Sequence, residues 1–312
     1  MSTGRINQLA LLEPAPQTGR AEVIVVASRE QERADAYARE HGIERAYGSY
    51  EALLGDPDVE AVYISLPNSL HVDWSIRALE AGKHVLCEKP FSRRPEEVVR
   101  AFAAAESAGR LLMEAFMYRH HAQTRRLEEA VEGGAIGELR QVRSSFSFTL
   151  AVPTDVRLSP ELDGGALMDL GCYCISGCRL LAGEPELVIG RQHVDASGVD
   201  VRFAALLQFP GDVFAQFHCG FDLPDASGLE AIGSDGTVLV REPFRCIDPH
   251  LELNGERVEV EDLDRYFLQL ENFSSAIRGE ADPLLGRDDA LGQARVIDAL
   301  YRSATSGTAV SL

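Results

Sequence analysis

Lysine is almost absent from this 312-residue chain. Only Lys83 and Lys89 stand among its 30 basic residues, and the others are arginines. Arginine replaces lysine as a solvated charge, but not where a compact or titratable ammonium group is needed. The retention of Lys89, in the turn Glu88-Lys89-Pro90, therefore favours a chemical role for its side chain. The alternative is chance retention in a turn that Pro90 makes rigid.

Positive charge and long apolar runs are also scarce. The formal net charge is −19, which argues against nucleic acid or an anionic membrane as the main partner, because phosphate groups bind basic surfaces. No apolar run reaches the roughly 20 residues that cross a bilayer, and the first residues do not resemble a secretory signal. The sequence therefore predicts a soluble, cytoplasmic protein whose length suits two domains and a large core.

Cysteine occurs six times, without a Cys-x-x-Cys pair or a histidine-rich segment. Cys172, Cys174 and Cys178 fall in a segment that is predicted to be helical, at a spacing that does not place all three on one face. His120 and His121 are adjacent, so their side chains are expected to diverge. These patterns favour buried free thiols in a reducing compartment and predict no metal site.

The first 118 residues alternate strands with helices. Apolar runs typical of strands buried on both faces occur at 23–28, 61–66, 84–87 and 111–113. Helical patterns occupy 30–41, 71–80 and 95–109, and Ser49 can cap a short helix. This alternation predicts βαβ units and a parallel sheet. Residues 1–118 are therefore expected to form an α/β domain.

Consecutive strands replace this alternation after residue 119. Strand candidates follow one another at 139–150, 186–195, 199–209, 213–220, 229–233 and 237–241. Asn254-Gly255 predicts a hairpin turn. Helices are predicted near 124–132, 164–181, 265–278 and 288–303. Residues 119–312 are therefore expected to form an α+β domain with a largely antiparallel open sheet and helices on one face.

Candidate binding residues stand where the predicted parallel strands end, because open α/β sheets bind ligands beyond the carboxyl ends of their strands. These ends are Ala27-Ser28-Arg29, Leu66-Pro67-Asn68 and Cys87-Glu88-Lys89-Pro90. The chain also begins with Ser2-Thr3-Gly4-Arg5-Ile6, before a helix-like segment. This start resembles the back half of a dinucleotide-binding glycine turn, in which backbone N–H groups hold a pyrophosphate.

Four segments carry a family resemblance. They are residues 65–71 (Ser-Leu-Pro-Asn-Ser-Leu-His), 82–90 (Gly-Lys-His-Val-Leu-Cys-Glu-Lys-Pro), 113–121 (Met-Glu-Ala-Phe-Met-Tyr-Arg-His-His) and 164–174 (Gly-Gly-Ala-Leu-Met-Asp-Leu-Gly-Cys-Tyr-Cys). With the order of domains, they make the chain resemble the Gfo/Idh/MocA oxidoreductases over nearly its whole length. The third and fourth segments are most similar to the branch of dihydrodiol dehydrogenases and NADP-dependent D-xylose dehydrogenases.

The resemblance implies an N-terminal Rossmann domain, a substrate-binding C-terminal domain and a set of catalytic roles. Lys89 is expected between nicotinamide and substrate, and Tyr173 is expected to be the general acid/base. Asp169 stands one helical turn before Tyr173 and is expected on the same face. Family positions that line the nicotinamide ribose fall at Pro67, Asn68 and His71. The full set of expected cofactor-binding residues is Ser2, Gly4, Arg5, Ile6, Ser28, Arg29, Leu66, Pro67, Asn68, His71, Glu88 and Lys89.

The chemistry of these residues is consistent with the implied roles. Oxidation of an alcohol needs a base for the hydroxyl proton and a hydride acceptor, which no side chain provides. An ordinary tyrosine has a pKa of about 10 and is a poor base near neutral pH, but a nearby ammonium group favours its phenolate. We therefore expect Lys89 to assist Tyr173. The alternatives are a core tyrosine at 173, a structural hydrogen bond at Asp169 and a locally satisfied helix-start residue at His71.

The end of the first predicted strand indicates which cofactor is preferred. An acidic residue there would bind both ribose hydroxyls and favour NAD. The chain has Ser28 and Arg29 instead, and a guanidinium group can hold a 2′-phosphate in bidentate fashion. The sequence therefore predicts NADP, with NAD possible, unless Arg29 is simply a solvated residue at a helix start.

The chain departs from its relatives at its beginning. The family opens with an apolar strand that leads into the glycine turn, whereas here Ser2 and Gly4 already belong to the turn. Loss of a central strand would leave unpaired backbone groups on both neighbours and a gap in the core. A start assigned too late and a damaged copy are the two explanations considered.

The favoured function is an oxidoreductase that transfers a hydride between NAD(P) and a sugar, polyol, cyclic alcohol or matching carbonyl compound. The alternatives are a non-catalytic NAD(P)-binding sensor of the same fold and an inactive truncated remnant. The resemblance also implies a homo-oligomer formed through the C-terminal sheet. Residues expected to line the substrate pocket are Arg119, His120, Phe146, Phe148 and Arg157.

Overall fold

The computed structural model describes residues 1–152 and 154–312. The chain forms two compact units. The first comprises Met1–Ser92, Glu96–His120 and Asp264–Ala290, and the second comprises Arg93–Pro95, His121–Leu263 and Leu291–Leu312. The change of unit after His120 lies close to the expected boundary at residue 118. The chain re-enters the first unit at Asp264 and leaves it again after Ala290.

Helices account for much of both units. The α-helices are α1 (Ala15–Thr18), α2 (Gln31–His41), α3 (Tyr50–Leu54), α4 (His71–Glu80), α5 (Pro95–Ala108), α6 (Ala122–Glu132), α7 (Cys172–Ala182), α8 (Arg265–Ile277) and α9 (Arg287–Ser306). Two segments are π-helical, Gln8–Leu12 and Leu167–Gly171. Short 3₁₀ turns lie at Asn68–Leu70, Met117–His120, Val156–Leu158, Pro160–Leu162 and Pro210–Asp212. The predicted cap at Ser49 is confirmed, because its side chain accepts a hydrogen bond from the Ala52 N–H at 3.1 Å.

The first unit contains parallel strands, as the sequence predicted, but they fall into two separate sheets. One sheet pairs β1 (Val25–Ala27) with β2 (Arg45–Tyr47). The other has the order β3 (Ala61–Ile64), β4 (His84–Glu88), β5 (Leu112–Ala115). The strand β2 was not predicted, because its three residues are too few to show a period.

The interruption falls between β1 and β3. Among residues 1–152 and 154–312, β1 pairs with β2 and β3 pairs with β4, and no strand joins β1 to β3. The Met1 amine instead donates a hydrogen bond to the Tyr63 backbone oxygen at 2.5 Å, and burial lowers the pKa of this amine to about 5. Val25 and Ala61, which begin the two edge strands, are only half-buried. An interrupted parallel sheet thus leaves apolar strand residues partly open.

The second unit is built on a nine-stranded mixed sheet. Its strands are β6 (Leu139–Thr149), β7 (Leu187–Val194), β8 (Asp200–Phe209), β9 (Val213–Gly220), β10 (Asp222–Gly233), β11 (Thr237–Val240), β12 (His250–Leu253), β13 (Glu256–Glu259) and β14 (Val310–Ser311). Their order is β13-β12-β11-β10-β6-β9-β8-β7-β14. The pair β6–β9 is parallel and the other pairs are antiparallel, which confirms the largely antiparallel sheet. The predicted Asn254-Gly255 turn joins β12 to β13.

One face of this sheet is covered and the other is open. Helix α7 packs against β6 and β9. Along β8, buried Phe203 and Leu207 alternate with exposed Ala204 and Leu206, the pattern of a strand with one face in the core. The covered face therefore holds the helix that carries Tyr173.

Candidate active site

The glycine turn is fixed against the end of β3. Ser2 Oγ and Ser65 Oγ are 2.7 Å apart, and Ser65 Oγ donates to Asn7 Oδ1 at 2.5 Å. The Gly4 N–H donates to Ser2 Oγ at 3.1 Å. Arg5 is exposed just after the turn. The structure thus brings the predicted turn next to the residues that follow β3, as a nucleotide-binding edge requires.

Two arginines flank the end of β1. Ser28 is buried there, and Arg29 is exposed. Arg33, one turn along α2, is also exposed and donates from Nε to Thr3 Oγ1 at 2.8 Å. Burial raises the pKa of Tyr50, whereas Arg29 and Arg33 both act to lower it, so the two cations lie around one phenol. Arg29 stays a predicted cofactor residue, and Arg33 was not predicted, because a solvated arginine in a helix gives no distinctive pattern.

The Lys89 turn follows the end of β4. The Tyr63 hydroxyl donates to Glu88 Oε1 at 2.5 Å, and the Lys89–Pro90 peptide bond is cis. The buried Tyr266 of α8 lies in the same neighbourhood. Burial, with a smaller contribution from Glu88, raises the pKa of Tyr266 to about 12, while Lys89 acts to lower it. Tyr266 stands 177 positions beyond Lys89, and nothing in the sequence predicted that they would lie close together.

His71 supports two backbone loops of the first unit. Its side chain is buried, with Nδ1 at 2.9 Å from the Pro90 oxygen and Nε2 at 2.8 Å from the Leu66 oxygen. Burial lowers the pKa of His71, and the two carbonyls oppose that effect. Since both ring nitrogens face backbone carbonyls, His71 braces the loops after β3 and β4. The expectation that His71 lines the cofactor ribose stays a prediction.

Further hydrogen bonds hold the backbone of the segments that follow β3 and β4. The Leu70 N–H donates to the Pro67 oxygen at 2.9 Å, which closes the 3₁₀ turn that contains Asn68. The Phe91 N–H donates to Glu114 Oε1 at 2.7 Å. Glu114 is buried at the end of β5. The loops after β3 and β4 are thus held by the buried side chains of His71 and Glu114, which gives the expected cofactor edge a defined backbone.

Tyr173 stands in an aromatic cluster of the second unit. It is the second residue of α7 and is 6% exposed. Its ring centroid lies 5.5 Å from that of Phe146, at an interplanar angle of 79°, and 5.4 Å from that of Phe244. The Arg245 guanidinium lies 5.1 Å above the Phe146 ring. Edge-to-face packing of this kind fixes the orientation of a ring. Phe146 was predicted for this site, and Phe244 was missed.

Asp169 forms an ion pair with Arg157. Arg157 Nη1 lies 3.4 Å from Asp169 Oδ2, and two further bonds join this guanidinium to Asp155 at 2.9 and 2.8 Å. Arg157 also lies 5.5 Å above the Phe148 ring. Asp169 belongs to the π-helical turn Leu167–Gly171, and the α-helical spacing assumed in the sequence analysis does not hold there. The structure thus joins three of the expected residues, Asp169, Phe148 and Arg157.

The remaining expected residues have defined surroundings. Arg119 Nη1 lies 3.3 Å from Asp289 Oδ1 in the first unit, and His120 is buried. All six cysteines are buried free thiols, as predicted. The described ranges 1–152 and 154–312 hold no group of three or more His, Cys, Asp or Glu side chains suited to a metal ion. In the same ranges, no helix combines the length and apolar character needed to cross a membrane.

The predicted residues are divided between the two units. The expected cofactor residues and Lys89 belong to the first unit, and Tyr173 and Asp169 belong to the second. A parallel α/β sheet edge with a glycine turn, followed by a mixed-sheet unit with a tyrosine-bearing helix, defines the class of two-domain nucleotide-dependent oxidoreductases.

Comparisons with known proteins agree with this class. Residues 3–116 match the oxidoreductase family with an NAD-binding Rossmann fold, and residues 124–239 match the GFO/IDH/MocA C-terminal domain. The chain belongs to the Gfo/Idh/MocA family of NAD(P)-dependent oxidoreductases.

Relatives in sequence and structure cover almost the whole chain. D-xylose 1-dehydrogenase (NADP(+)) 2 of Haloferax volcanii is 40% identical over 96% of this chain and 94% of its own length. Human trans-1,2-dihydrobenzene-1,2-diol dehydrogenase is 36% identical over 83% of this chain and 78% of its own. The 3-ketoreductase KijD10 from Actinomadura kijaniata, in complex with NADP and TDP-benzene, superposes with a TM-score of 0.91 at 32% identity, covering 97% of this chain and 95% of KijD10.

Proposed function

We propose that the protein is an NADP-dependent dehydrogenase or reductase whose substrate is a sugar, polyol or cyclic alcohol, or the matching carbonyl compound. The observation that carries the proposal is the braced turn at Lys89, which follows a parallel strand as a family cofactor site requires, together with the fixed ring of Tyr173. The xylose and dihydrodiol dehydrogenases that resemble this chain indicate the substrate class.

The nucleotide fits the residues of the first unit. Ser28 and two exposed cations, Arg29 and Arg33, end β1 and begin α2, which suits a ribose that carries a phosphate. The glycine turn at Ser2–Gly4 and the Pro67–Asn68 loop would hold the remaining nucleotide groups. When bound, the nicotinamide supplies the hydride acceptor or donor that side chains lack.

Tyr173 and Lys89 would share the proton chemistry. In the oxidative direction the Tyr173 phenolate accepts the proton of the substrate hydroxyl, and in the reductive direction the phenol returns it to the carbonyl oxygen. The Lys89 ammonium stabilises the phenolate and hydrogen-bonds the same substrate oxygen. Asp169, held by Arg157, would orient a second polar group of the substrate.

Tyr266 provides a sharp test, because it is a second buried phenol near Lys89. Its pKa is raised to about 12, mainly by burial, so Tyr266 stays protonated near neutral pH. Tyr173→Phe and Lys89→Met should each reduce kcat by several orders of magnitude at unchanged NADP affinity, and Tyr266→Phe should leave most of the activity. Reduction of NADP would be followed at 340 nm with D-xylose, other aldoses and cyclic diols.

The outcomes separate the candidate functions. Turnover that disappears in Tyr173→Phe supports the proposal. Turnover that survives in Tyr173→Phe and disappears in Tyr266→Phe assigns the proton transfer to the other phenol. NADP binding without turnover on any alcohol or carbonyl compound identifies a sensor instead of an enzyme, and a preparation that does not fold identifies a remnant.

The preference for NADP would rest on Arg29. Arg29→Ala should lower the ratio of kcat/KM for NADP to that for NAD by roughly 10- to 100-fold, because a charge-assisted bidentate contact with phosphate is lost. Arg39→Ala is the matched control, since Arg39 is exposed in the last turn of the same helix. An unchanged ratio in Arg29→Ala would contradict the assignment.

The open face of the second unit's sheet is the proposed oligomer interface. Leu206 on β8 and Phe214 on β9 are 39% and 40% exposed there, and a groove on the same face is lined by Arg143, Gln216 and His218. The double substitution Leu206→Lys/Phe214→Lys should convert an oligomer to a monomer in light scattering. Val99→Lys, at an exposed apolar position on α5, is the control. A wild-type chain that is monomeric at micromolar concentration would reject the interface.

A further inference from the structure

The helix that carries Asp169 and Tyr173 begins with an unusual turn. Leu167–Gly171 is π-helical and is followed directly by the α-helical Cys172–Ala182. Single π turns within helices are rare and are frequently found at functional sites. This π turn also changes the angle about the helix axis between Asp169 and Tyr173. Two buried side chains from outside the helix form hydrogen bonds with the backbone at its two ends.

Asp200 holds the start of this turn. Its side chain is 3% exposed at the beginning of β8, and Oδ2 accepts the Leu167 N–H at 2.7 Å. The residue before Leu167 is Ala166, which has no side chain that could cap the helix. Without Asp200 the Leu167 N–H would be one of the unsatisfied donors at a helix start, in a buried place.

The chain makes room for this carboxylate at Gly165. A Cβ added at Gly165 would lie 2.3 Å from Asp200 Oδ1, and the φ angle of +123° is one that side chains other than glycine's rarely adopt. The second glycine of the Gly164-Gly165 pair is therefore explained by the approach of Asp200 and not by a ligand.

The position of Asp200 is itself determined by its neighbours. Oδ1 accepts the Tyr301 hydroxyl of α9 at 2.9 Å. The Arg93 guanidinium lies 5.4 Å above the Tyr301 ring and forms an ion pair with Asp163 at 3.0 Å. Asp163 also receives two bonds from Arg94, at 2.9 and 3.1 Å. This network connects Asp163, two residues before Gly165, with Asp200 through Arg93 and Tyr301.

Gln293 holds the other end of the π turn. It is 1% exposed on α9, and its Nε2 donates to the Cys172 backbone oxygen at 2.7 Å. Its Oε1 accepts a bond from Arg179 Nη1 at 3.1 Å, which fixes the orientation of the amide. Cys172 immediately precedes Tyr173, so the two external bonds, from Asp200 and Gln293, fall on either side of Asp169.

We propose that Asp200 and Gln293 are positioning residues that hold the π turn and thereby set where the Asp169 carboxylate and the Tyr173 phenol point. The inference rests on the proposed function, in which Tyr173 exchanges the proton. Neither residue is proposed to touch the substrate. Both act through their hydrogen bonds to the backbone of the helix.

The experiment compares Asp200→Ala, Asp200→Asn and Gln293→Leu with the control Asp298→Ala, whose partly exposed carboxylate on α9 forms an ion pair with Arg302. Steady-state kinetics are measured from pH 6 to pH 10, with NADP affinity measured separately by fluorescence. We expect Asp200→Ala and Gln293→Leu to lower kcat by roughly 10- to 100-fold, as a misplacement of about 1 Å does, and to displace the pH profile of kcat. NADP affinity should stay within about two-fold.

Asp200→Asn keeps an acceptor for the Leu167 N–H and should recover most of the lost kcat. The control should match the wild type in rate and pH profile. Wild-type kcat and an unshifted profile in both Asp200→Ala and Gln293→Leu overturn the inference, as does an Asn variant no better than Ala. If Asp200→Ala does not fold, the kcat values and pH profiles of Asp200→Asn and Gln293→Leu still test the inference. Near wild-type turnover in Tyr173→Phe rejects the proposed function instead, and so the two failures are distinguishable.

Discussion

Acidification should stabilise the wild-type protein relative to the Asp200→Asn variant. Burial raises the pKa of Asp200 to about 6 from the ordinary value of 3.8, against the opposing effects of the Leu167 N–H, the Tyr301 hydroxyl and Arg93. A group whose pKa is raised by folding contributes stability that is complete below the lower value and is lost as the pH rises through the higher one. Asparagine does not titrate, so the variant lacks this dependence.

The magnitude follows from the two pKa values of Asp200. Their difference of about two units corresponds to about 3 kcal/mol over the full range. The range from pH 8 to pH 5 covers the titration of the folded-state carboxylate but stops above the pKa of the unfolded state. Over this range the free energy of unfolding of the wild type should rise by about 1.4 kcal/mol relative to the variant. The side chain is 3% exposed, so solvent screening does not reduce this figure much.

Urea unfolding followed by circular dichroism at pH 5, 6, 7 and 8 would measure the effect. The difference in unfolding free energy between wild type and Asp200→Asn should move in favour of the wild type as the pH falls. Cys219 and Tyr301, which also face this carboxylate, stay protonated throughout because their pKa values are raised. A difference that is constant from pH 5 to pH 8, or that moves the other way, would refute the burial argument.

Three further predictions test the surroundings of the site. Gly165→Ala should lower the free energy of unfolding by about 3 kcal/mol, since it combines a strained φ with overpacking against Asp200; a loss below about 1 kcal/mol in chemical denaturation would contradict the geometry. Phe244→Leu removes one of the two rings that pack on Tyr173 and should lower kcat by several-fold with little change in KM for NADP, which steady-state kinetics would reveal. Ser49→Ala deletes a helix cap and should cost about 1 kcal/mol with activity unchanged, so a loss of activity without a loss of thermal stability would be unexpected.

Much of the fold was accessible from local patterns. Alternating apolar runs and helices predicted the parallel strands of the first unit, and the bounds of α4 were predicted to the residue. The Asn254-Gly255 turn was recognisable because two residues with positive φ suit a tight hairpin. These elements depend on nearest-neighbour chemistry, which a single sequence displays.

The arrangement of side chains around the site was less accessible. Asp200 follows a predicted strand start and Gln293 lies inside a predicted helix, and neither position carries a motif. The two contacts of the His71 ring were not predicted, because its partners are backbone carbonyls, which leave no trace in residue identity. The π turn was missed because the residues 167–171 have the same apolar pattern as an α-helix.

The sequence by itself determined the fold class, the family and the candidate reactive residues, because turns, apolar periods and rare side chains such as Lys89 are local properties. Only the tertiary structure decided how those residues are held. Tyr266 approaches Lys89 across 177 positions, Asp200 reaches Leu167 across 33, and Gln293 reaches Cys172 across 121. Contacts of that separation arise from packing of whole elements, since chain entropy opposes them until the surrounding core has formed.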